Sequence, residues 1–260
     1  MRARVGRLWR VFATGLSFAL FGIGGLFLRL ALFPLLALCV RAPAPRRRAA
    51  RATVRLSFRA FVGIMRWLGV LRYEVRGLDK LDREGQLILA NHPTLIDTVF
   101  LIAFVPNADC IVKGALWRNP FMRGPIRAAG YICNDRGPQL VEDCIASLRD
   151  GGNLIVVPEG TRTAPGGPAQ LKRGAANIAV RGMRAVTPVV IGCEPPTLGK
   201  GDKWWHVPPR QARFRIEVKD DIAVEAFRHD GDGNVSEVLA ARRLTHHLQQ
   251  FFMKEGQQHA

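Results

Sequence analysis

The sequence predicts an α/β domain with a mostly parallel sheet flanked by helices, preceded by a membrane-docking two-helix segment. Three observations predict it. From Tyr73 onward, short apolar runs alternate with stretches of helical period. Before that point lies a long, mostly apolar stretch at residues 11–40, interrupted by Arg29. The charge is also split: residues 1–73 hold 14 Arg, no Lys and no acid, while the remainder holds 24 basic residues against all 21 acids. The chain therefore divides into a basic, apolar arm at 1–72 and a nearly balanced domain at 73–260.

The arm comes first. An acid-free basic segment suits an anionic surface, either nucleic acid or membrane. A nucleic-acid arm has no use for about thirty mostly apolar residues, and lipid does, so membrane lipid is the expected partner and nucleic acid is not. Arg2, Arg4, Arg7 and Arg10 precede the apolar stretch, and Arg41, Arg46, Arg47, Arg48 and Arg51 follow it. Positive flanks favour the cytoplasmic side, which places the protein on the cytoplasmic face of the inner membrane. One spanning helix cannot keep both flanks there, and a simple one-pass anchor stays open only where flanking charge is overridden. A helical hairpin or re-entrant segment can, with Gly22, Gly24, Gly25 and Pro34 as places to bend. A cleaved signal peptide fits poorly, because Pro45 follows Ala42-Pro43-Ala44.

Next, Val54, Phe58, Phe61, Val62, Met65 and Leu68 recur at helical spacing with Arg55, Arg59 and Arg66 off that face. This basic amphipathic helix suits a membrane interface, and the same pattern fits a helix packed on a core. Its place beside the apolar stretch favours the interface.

In the domain, residues 87–90, 110–112, 153–157 and 186–191 are expected strands, and 213–219 an added one. Residues 95–104, 138–149 and 174–184 are expected helices, with 235–253 closing the chain. Five scattered cysteines support neither a disulfide framework nor a zinc site.

In such sheets, ligand groups collect beyond the carboxyl ends of strands. His92 follows the first of the strand runs, and of six histidines only His92 has an aspartate, Asp97, five residues on. Imidazole titrates near neutrality and can take a proton from a hydroxyl. An aspartate accepting from its other nitrogen fixes the tautomer. A strand-to-helix turn can bring Asp97 back to His92; a straight strand could not. The four serines, Ser17, Ser57, Ser147 and Ser236, lie in no Gly-x-Ser-x-Gly elbow. The proton donor is then expected to be the substrate, with direct transfer and no covalent enzyme intermediate. Arg136 and Arg162 each stand just past an apolar run and can grip a phosphate. Gly160 lets backbone approach a ligand, and Lys172 opens a helix. Taken singly, each of these also fits an ordinary salt-bridged loop.

Together the motifs say more. Asn91-His92-Pro93-Thr94-Leu95-Ile96-Asp97, Gly130-Tyr131-Ile132-Cys133-Asn134-Asp135-Arg136, Val157-Pro158-Glu159-Gly160-Thr161-Arg162 and Val186-Thr187-Pro188-Val189-Val190 occur in that order. They resemble the four blocks of the glycerolipid and lysophospholipid acyltransferase family, over about residues 73–195. The resemblance implies transfer of a fatty acyl group from acyl-CoA or acyl-carrier protein, as co-substrate, to the hydroxyl of a lysophospholipid such as 1-acylglycerol-3-phosphate. It implies His92 as base and Asp97 as its orienter, with no metal or cofactor. It further implies that Arg136, Glu159, Gly160, Thr161 and Arg162, with Lys172, bind the acceptor. Three positions depart from the family pattern: Val157 for Phe, Thr163 for Ser and Asn134 for an apolar residue. Lys203-Trp204-Trp205-His206-Val207-Pro208-Pro209 has no family counterpart. Two alternatives stay open: another lipid alcohol as acceptor, and a non-enzymatic protein that binds anionic membranes.

Overall fold

The computed structural model describes residues 2–162, 170–230 and 233–258. The chain opens with α1 (Arg2–Phe27), a π-helical stretch (Leu28–Leu32) and α2 (Phe33–Cys39), which together form one rod, and reverses into α3 (Pro43–Trp67). Then follow β1 (Leu71–Arg76), β2 (Leu87–Ala90), α4 (Asp97–Phe104), β3 (Ala108–Val112), α5 (Gly114–Arg118), α6 (Arg123–Ala129), β4 (Ile132–Cys133), α7 (Gln139–Arg149) and β5 (Asn153–Val156). The remaining elements are α8 (Gly174–Gly182), β6 (Val186–Glu194), β7 (Ala212–Val218), the short pair β8 (His229–Asp230) and β9 (Gly233–Asn234), and α9 (Glu237–Gln258).

The main sheet has the order β1-β7-β6-β2-β5-β3-β4. β6, β2, β5, β3 and β4 run parallel. β7 joins β6 antiparallel and β1 lies parallel to β7, so the sheet is parallel except at one seam. Side-chain alternation along β2 builds two cores. Ile88 and Ala90 face a cluster formed with α3, α4 and α6, while Leu87 and Leu89 face a second formed with α7, α8 and α9. This is a three-layer architecture, as the alternating pattern predicts. β1 begins at Leu71, two residues before the change of pattern at Tyr73. β4, α5 and α6 went unread, being too short to show a period.

The arm is a helical hairpin, but it does not bend where the glycines and Pro34 suggest. The rod runs on to Cys39 and turns at Val40–Ala42. Gly25 lets the rod approach the domain: a Cβ there would lie 2.8 Å from the Phe121 carbonyl. One face of the rod meets the body along much of its length. Trp9 Nε1 donates to Leu68 O (2.9 Å), Arg10 Nη2 to Pro209 O (2.6 Å) and Arg29 Nη1 to Pro120 O (2.8 Å), while Leu28 and Phe33 enter the first core. The charge in the middle of the apolar stretch thus points at protein. On the free face, Leu8, Phe12, Leu20, Ile23, Phe27, Leu30 and Leu38 are exposed. Val5–Cys39 is long and apolar enough to cross a membrane, by length and composition alone.

α3 corrects a second expectation. Its stripe of Val54, Phe58, Phe61, Val62 and Met65 is buried in the first core rather than presented to an interface. A 3.6-residue period marks which face is apolar and is silent about what covers it. Arg51 on the same helix is buried too, paired with Asp109 of β3.

Candidate active site

β2 and β5 are neighbours, with Leu89 opposite Val156. The turn carrying His92 and the loop at 157–162 therefore leave the same edge of the sheet side by side. β3 and β4 end beside them, with Val112 opposite Cys133, so Lys113 and the Asn134–Arg136 turn leave that edge as well.

The His92 turn is pinned at both ends. The Asn91 amide pairs with the backbone of Ile191 in β6, Nδ2 donating to O (2.8 Å) and Oδ1 accepting from N–H (2.7 Å). Further along, Leu95 N–H donates to Leu198 O at 3.0 Å. Between these ties the chain folds back so that His92 Nδ1 lies 3.0 Å from an Asp97 carboxylate oxygen. Asp97 opens α4, where the helix dipole favours a negative charge. Thr94 adds two more donors to that carboxylate, its N–H at 2.6 Å and its hydroxyl at 2.5 Å.

Three donors converging on one carboxylate keep it an acceptor. The proton of the neutral imidazole then sits on Nδ1, and the Nε2 lone pair is left for another group. Asp97 is 1% exposed and the His92 side chain 18%. Burial pushes the Asp97 carboxyl above its ordinary value, and the hydrogen bonds from His92 and Thr94 oppose that rise. Nearby Cys193 is pushed up to about 12 by burial and by the charge of Asp97, which leaves it a thiol at neutral pH.

The loop after β5 holds the other expected residues. Gly160 has φ +66°, a backbone conformation that favours glycine, and the Lys172 side chain lies over it, Nζ 3.0 Å from where a Cβ would stand. The amide of Lys172 donates to Pro158 O (2.8 Å), which brings Lys172 back over the loop. Glu159 is buried, and Thr161 is exposed. Arg162 Nη1 donates to the carbonyls of Leu198 (3.0 Å) and Gly199 (2.7 Å). Arg136 is exposed and paired with Asp143 at 2.7 Å. Thr163 lies outside the described residues. Asn134 accepts from Gly114 N–H (3.1 Å), which gives its polar side chain a use at a position expected to be apolar.

Sequence reasoning missed Leu198. Its carbonyl accepts from both Leu95 and Arg162, so one peptide joins the His92 turn to the 157–162 loop. No motif could have signalled this, because a carbonyl acceptor leaves no trace in residue type. Asn91 and Thr94 lay inside the quoted block without an assigned role. The tryptophan pair is now placed: Trp204 packs against Gly15 of α1, and with Thr14, Ile96, Leu198, Val207 and Phe214 it lines a cavity between the arm and the His92 turn. Among the described residues no group of three or more His, Cys, Asp or Glu could hold a metal ion.

A partly exposed His92 paired with a buried Asp97 at the carboxyl edge of a parallel sheet, beside an apolar arm, defines a class: α/β proteins with a His–Asp pair at the strand ends. Residues 72–192 match the family model described as Acyltransferase. Curated relatives include the 1-acyl-sn-glycerol-3-phosphate acyltransferases of Pseudomonas aeruginosa and Helicobacter pylori. The first is 28% identical over 56% of this chain and 59% of its own length. The second is 32% identical over 44% of this chain and 51% of its own length. The chain thus spans about half the length of these relatives or slightly more. The crystal structure of the 1-acyl-sn-glycerophosphate (LPA) acyltransferase PlsC from Thermotoga maritima aligns with 98% of this chain and 97% of its own, at a TM-score of 0.72 and 18% identity. That likeness extends the shared fold to the arm.

Proposed function

We propose that this protein transfers a fatty acyl group from an acyl thioester, acyl-CoA or acyl-carrier protein, to the free hydroxyl of a lysophospholipid held at a membrane. The observation that carries this is the 3.0 Å contact between His92 Nδ1 and Asp97, which leaves Nε2 to act. Nε2 takes the proton of the acceptor hydroxyl as its oxygen attacks the thioester carbonyl. The new C–O bond forms, the C–S bond breaks, and the proton passes from the imidazolium to the departing thiolate. Asp97 keeps the ring oriented and stabilises the imidazolium as it forms. Each side chain completes the cycle unchanged, without a covalent enzyme intermediate.

The acceptor favoured by this reading is 1-acylglycerol-3-phosphate, the substrate class in the names of the relatives. Lys172, folded over Gly160, is the cation best placed to meet its phosphate. Arg162 acts on this reading by holding the Leu198–Gly199 backbone, and Arg136 by meeting solvent-borne charge at the rim. The rod docks by its exposed apolar stripe while its other face stays on the domain. It therefore lies along the bilayer surface instead of crossing it, which suits the cytoplasmic face.

The test is thiol release from acyl-CoA or acyl-carrier protein with a mixed pool of lyso-acceptors, the products identified by mass spectrometry. His92→Ala should lower release by about 10²–10⁴-fold with every acceptor. Wild-type turnover by that variant would end the proposal. A labelled product other than phosphatidate would keep the chemistry and change the acceptor.

A further inference from the structure

The far end of the rod carries a second feature that the reaction leaves unused. Where α2 turns into α3, an open pocket of about 410 Å³ is lined by Phe33, Leu36 and Ala37 on one side and by Arg46, Arg47 and Arg127 on the other. That volume falls within the roughly 300–1,000 Å³ of small-ligand sites. Arg47 is paired with Asp150 at 3.2 Å. Among the described residues no acid forms an ion pair with Arg46 or Arg127; Arg127 lies 5.7 Å from the centre of the Trp117 ring. The pocket also includes Gly130, just ahead of β4, and so lies at the amino edge of the parallel strands, whereas His92 follows the carboxyl end of β2. Along α3, Ala50 at this pocket and Met65 near the His92 turn are separated by about 22 Å at 1.5 Å per residue.

We propose that this elbow is a binding site for an intact anionic phospholipid of the bilayer, separate from the acceptor site. Two guanidinium groups without acid partners match a phosphodiester, which accepts paired hydrogen bonds. The apolar wall is contributed by the rod, and Leu35 and Leu38 beside it are exposed on the same helix, so an acyl chain leaving the pocket continues onto an apolar surface. A free phosphate would fill the cationic half and leave the apolar half wet. The inference rests on the membrane-docked reading of the rod. Its role is to hold the arm's far end against anionic lipid while the near end shapes the cleft beside His92.

Native mass spectrometry of the full chain, released from detergent with equal phosphatidylglycerol and phosphatidylcholine, tests it. The wild type should retain the anionic lipid about tenfold or more over the neutral one, given about 1 kcal/mol per basic residue near an anionic surface. Arg46→Gln with Arg127→Gln should remove that preference. Ala37→Phe, which fills the pocket without altering charge, should lower retention as far. Arg59→Gln with Arg72→Gln removes the same charge from exposed positions outside the pocket and should leave retention intact.

Equal losses in the charge-matched pair, or full retention by Ala37→Phe, would overturn the site in favour of diffuse attraction. Displacement of the lipid by millimolar inorganic phosphate would overturn the lipid as occupant. Should a variant misfold, a photoreactive phosphatidylglycerol on the wild type decides. Labelling within residues 33–50 or 127–130 supports the site, and labelling elsewhere sinks it. Flotation on phosphatidylcholine vesicles checks rod docking separately: a wild type that fails to float while retaining phosphatidylglycerol loses the docking reading alone.

Discussion

The guanidinium of Arg51 lies 2.5 Å from the carboxylate of Asp109, both side chains almost wholly buried, 5% and 2% exposed. Arg51 also donates to Ala129 O at 2.9 Å, and Ser147 donates to the same Asp109 oxygen at 2.5 Å. An arginine from the basic arm is therefore locked into the core of the domain at the start of β3.

Removing one partner leaves the other charged and buried, which costs about 3–5 kcal/mol. Arg51→Met should lower unfolding stability by about that amount in a chemical denaturation series in neutral detergent. Arg51→Met with Asp109→Leu should recover most of the loss, because neither charge then remains to be solvated.

At the site, His92→Ala should reduce the proposed acyl transfer by about 10²–10⁴-fold, the usual contribution of a positioned general base. Asp97→Asn should fall in the same range with little change in KM, since the carboxylate orients the ring and stabilises its charged form. Steady-state kinetics with varied lyso-acceptor makes the comparison.

Thr94 gives a finer test of positioning. Its hydroxyl donates 2.5 Å to Asp97, and a hydrogen bond to a charged group is worth about 1.5–3 kcal/mol. Thr94→Val should cost about 10–100-fold in kcat, and Thr94→Ser, which keeps the hydroxyl, should restore most of it. Full activity in Thr94→Val with a loss in Thr94→Ser would mean that the methyl group, and so packing, is what matters.

Thiol labelling separates core from lipid-facing surface. Cys39 is exposed at the end of the rod, Cys110 and Cys144 are buried, and Cys193 is partly buried. Burial pushes Cys144 and Cys193 up to about 12. Iodoacetamide at pH 8 should modify Cys39 and spare those three, as read by peptide mass spectrometry. Added vesicles should slow Cys39 labelling if the rod docks as proposed.

Acid stability should report on Asp221. Burial acts to raise its carboxyl, but hydrogen bonds from Arg83 (2.7 and 3.0 Å) and Thr187 (2.7 Å) outweigh it and hold the group below the ordinary value. The unfolded chain then binds the proton more readily, so this stabilisation is present above the unfolded pKa and is lost as pH falls through the folded one. Thermal melts between pH 7 and 3 should show a shallower decline for Asp221→Asn than for wild type.

Much of this architecture was legible in the residues. Short apolar runs such as 87–90 and the helical stripe at 138–149 each reflect which faces meet an apolar neighbour, and that pattern is local. The offset of His92 and Asp97 was equally local, because a five-residue turn closes on itself. Arg162 and Arg136 were readable as cations but not by partner. The carbonyls of Leu198 and Gly199 and the carboxylate of Asp143 were chosen by the packing of loops, which residue type does not encode.

By itself the sequence determined the alternating domain, the His–Asp offset and a basic, apolar arm set apart from it. Only the tertiary structure decided that the α3 stripe faces the core, that Gly25 serves a close contact with the Phe121 carbonyl, and that Leu198 joins the two halves of the site. The physical reason is the same in each case. Periodicity and spacing report what a segment can do with its own neighbours, whereas burial and hydrogen-bond partners depend on surfaces brought together from far along the chain.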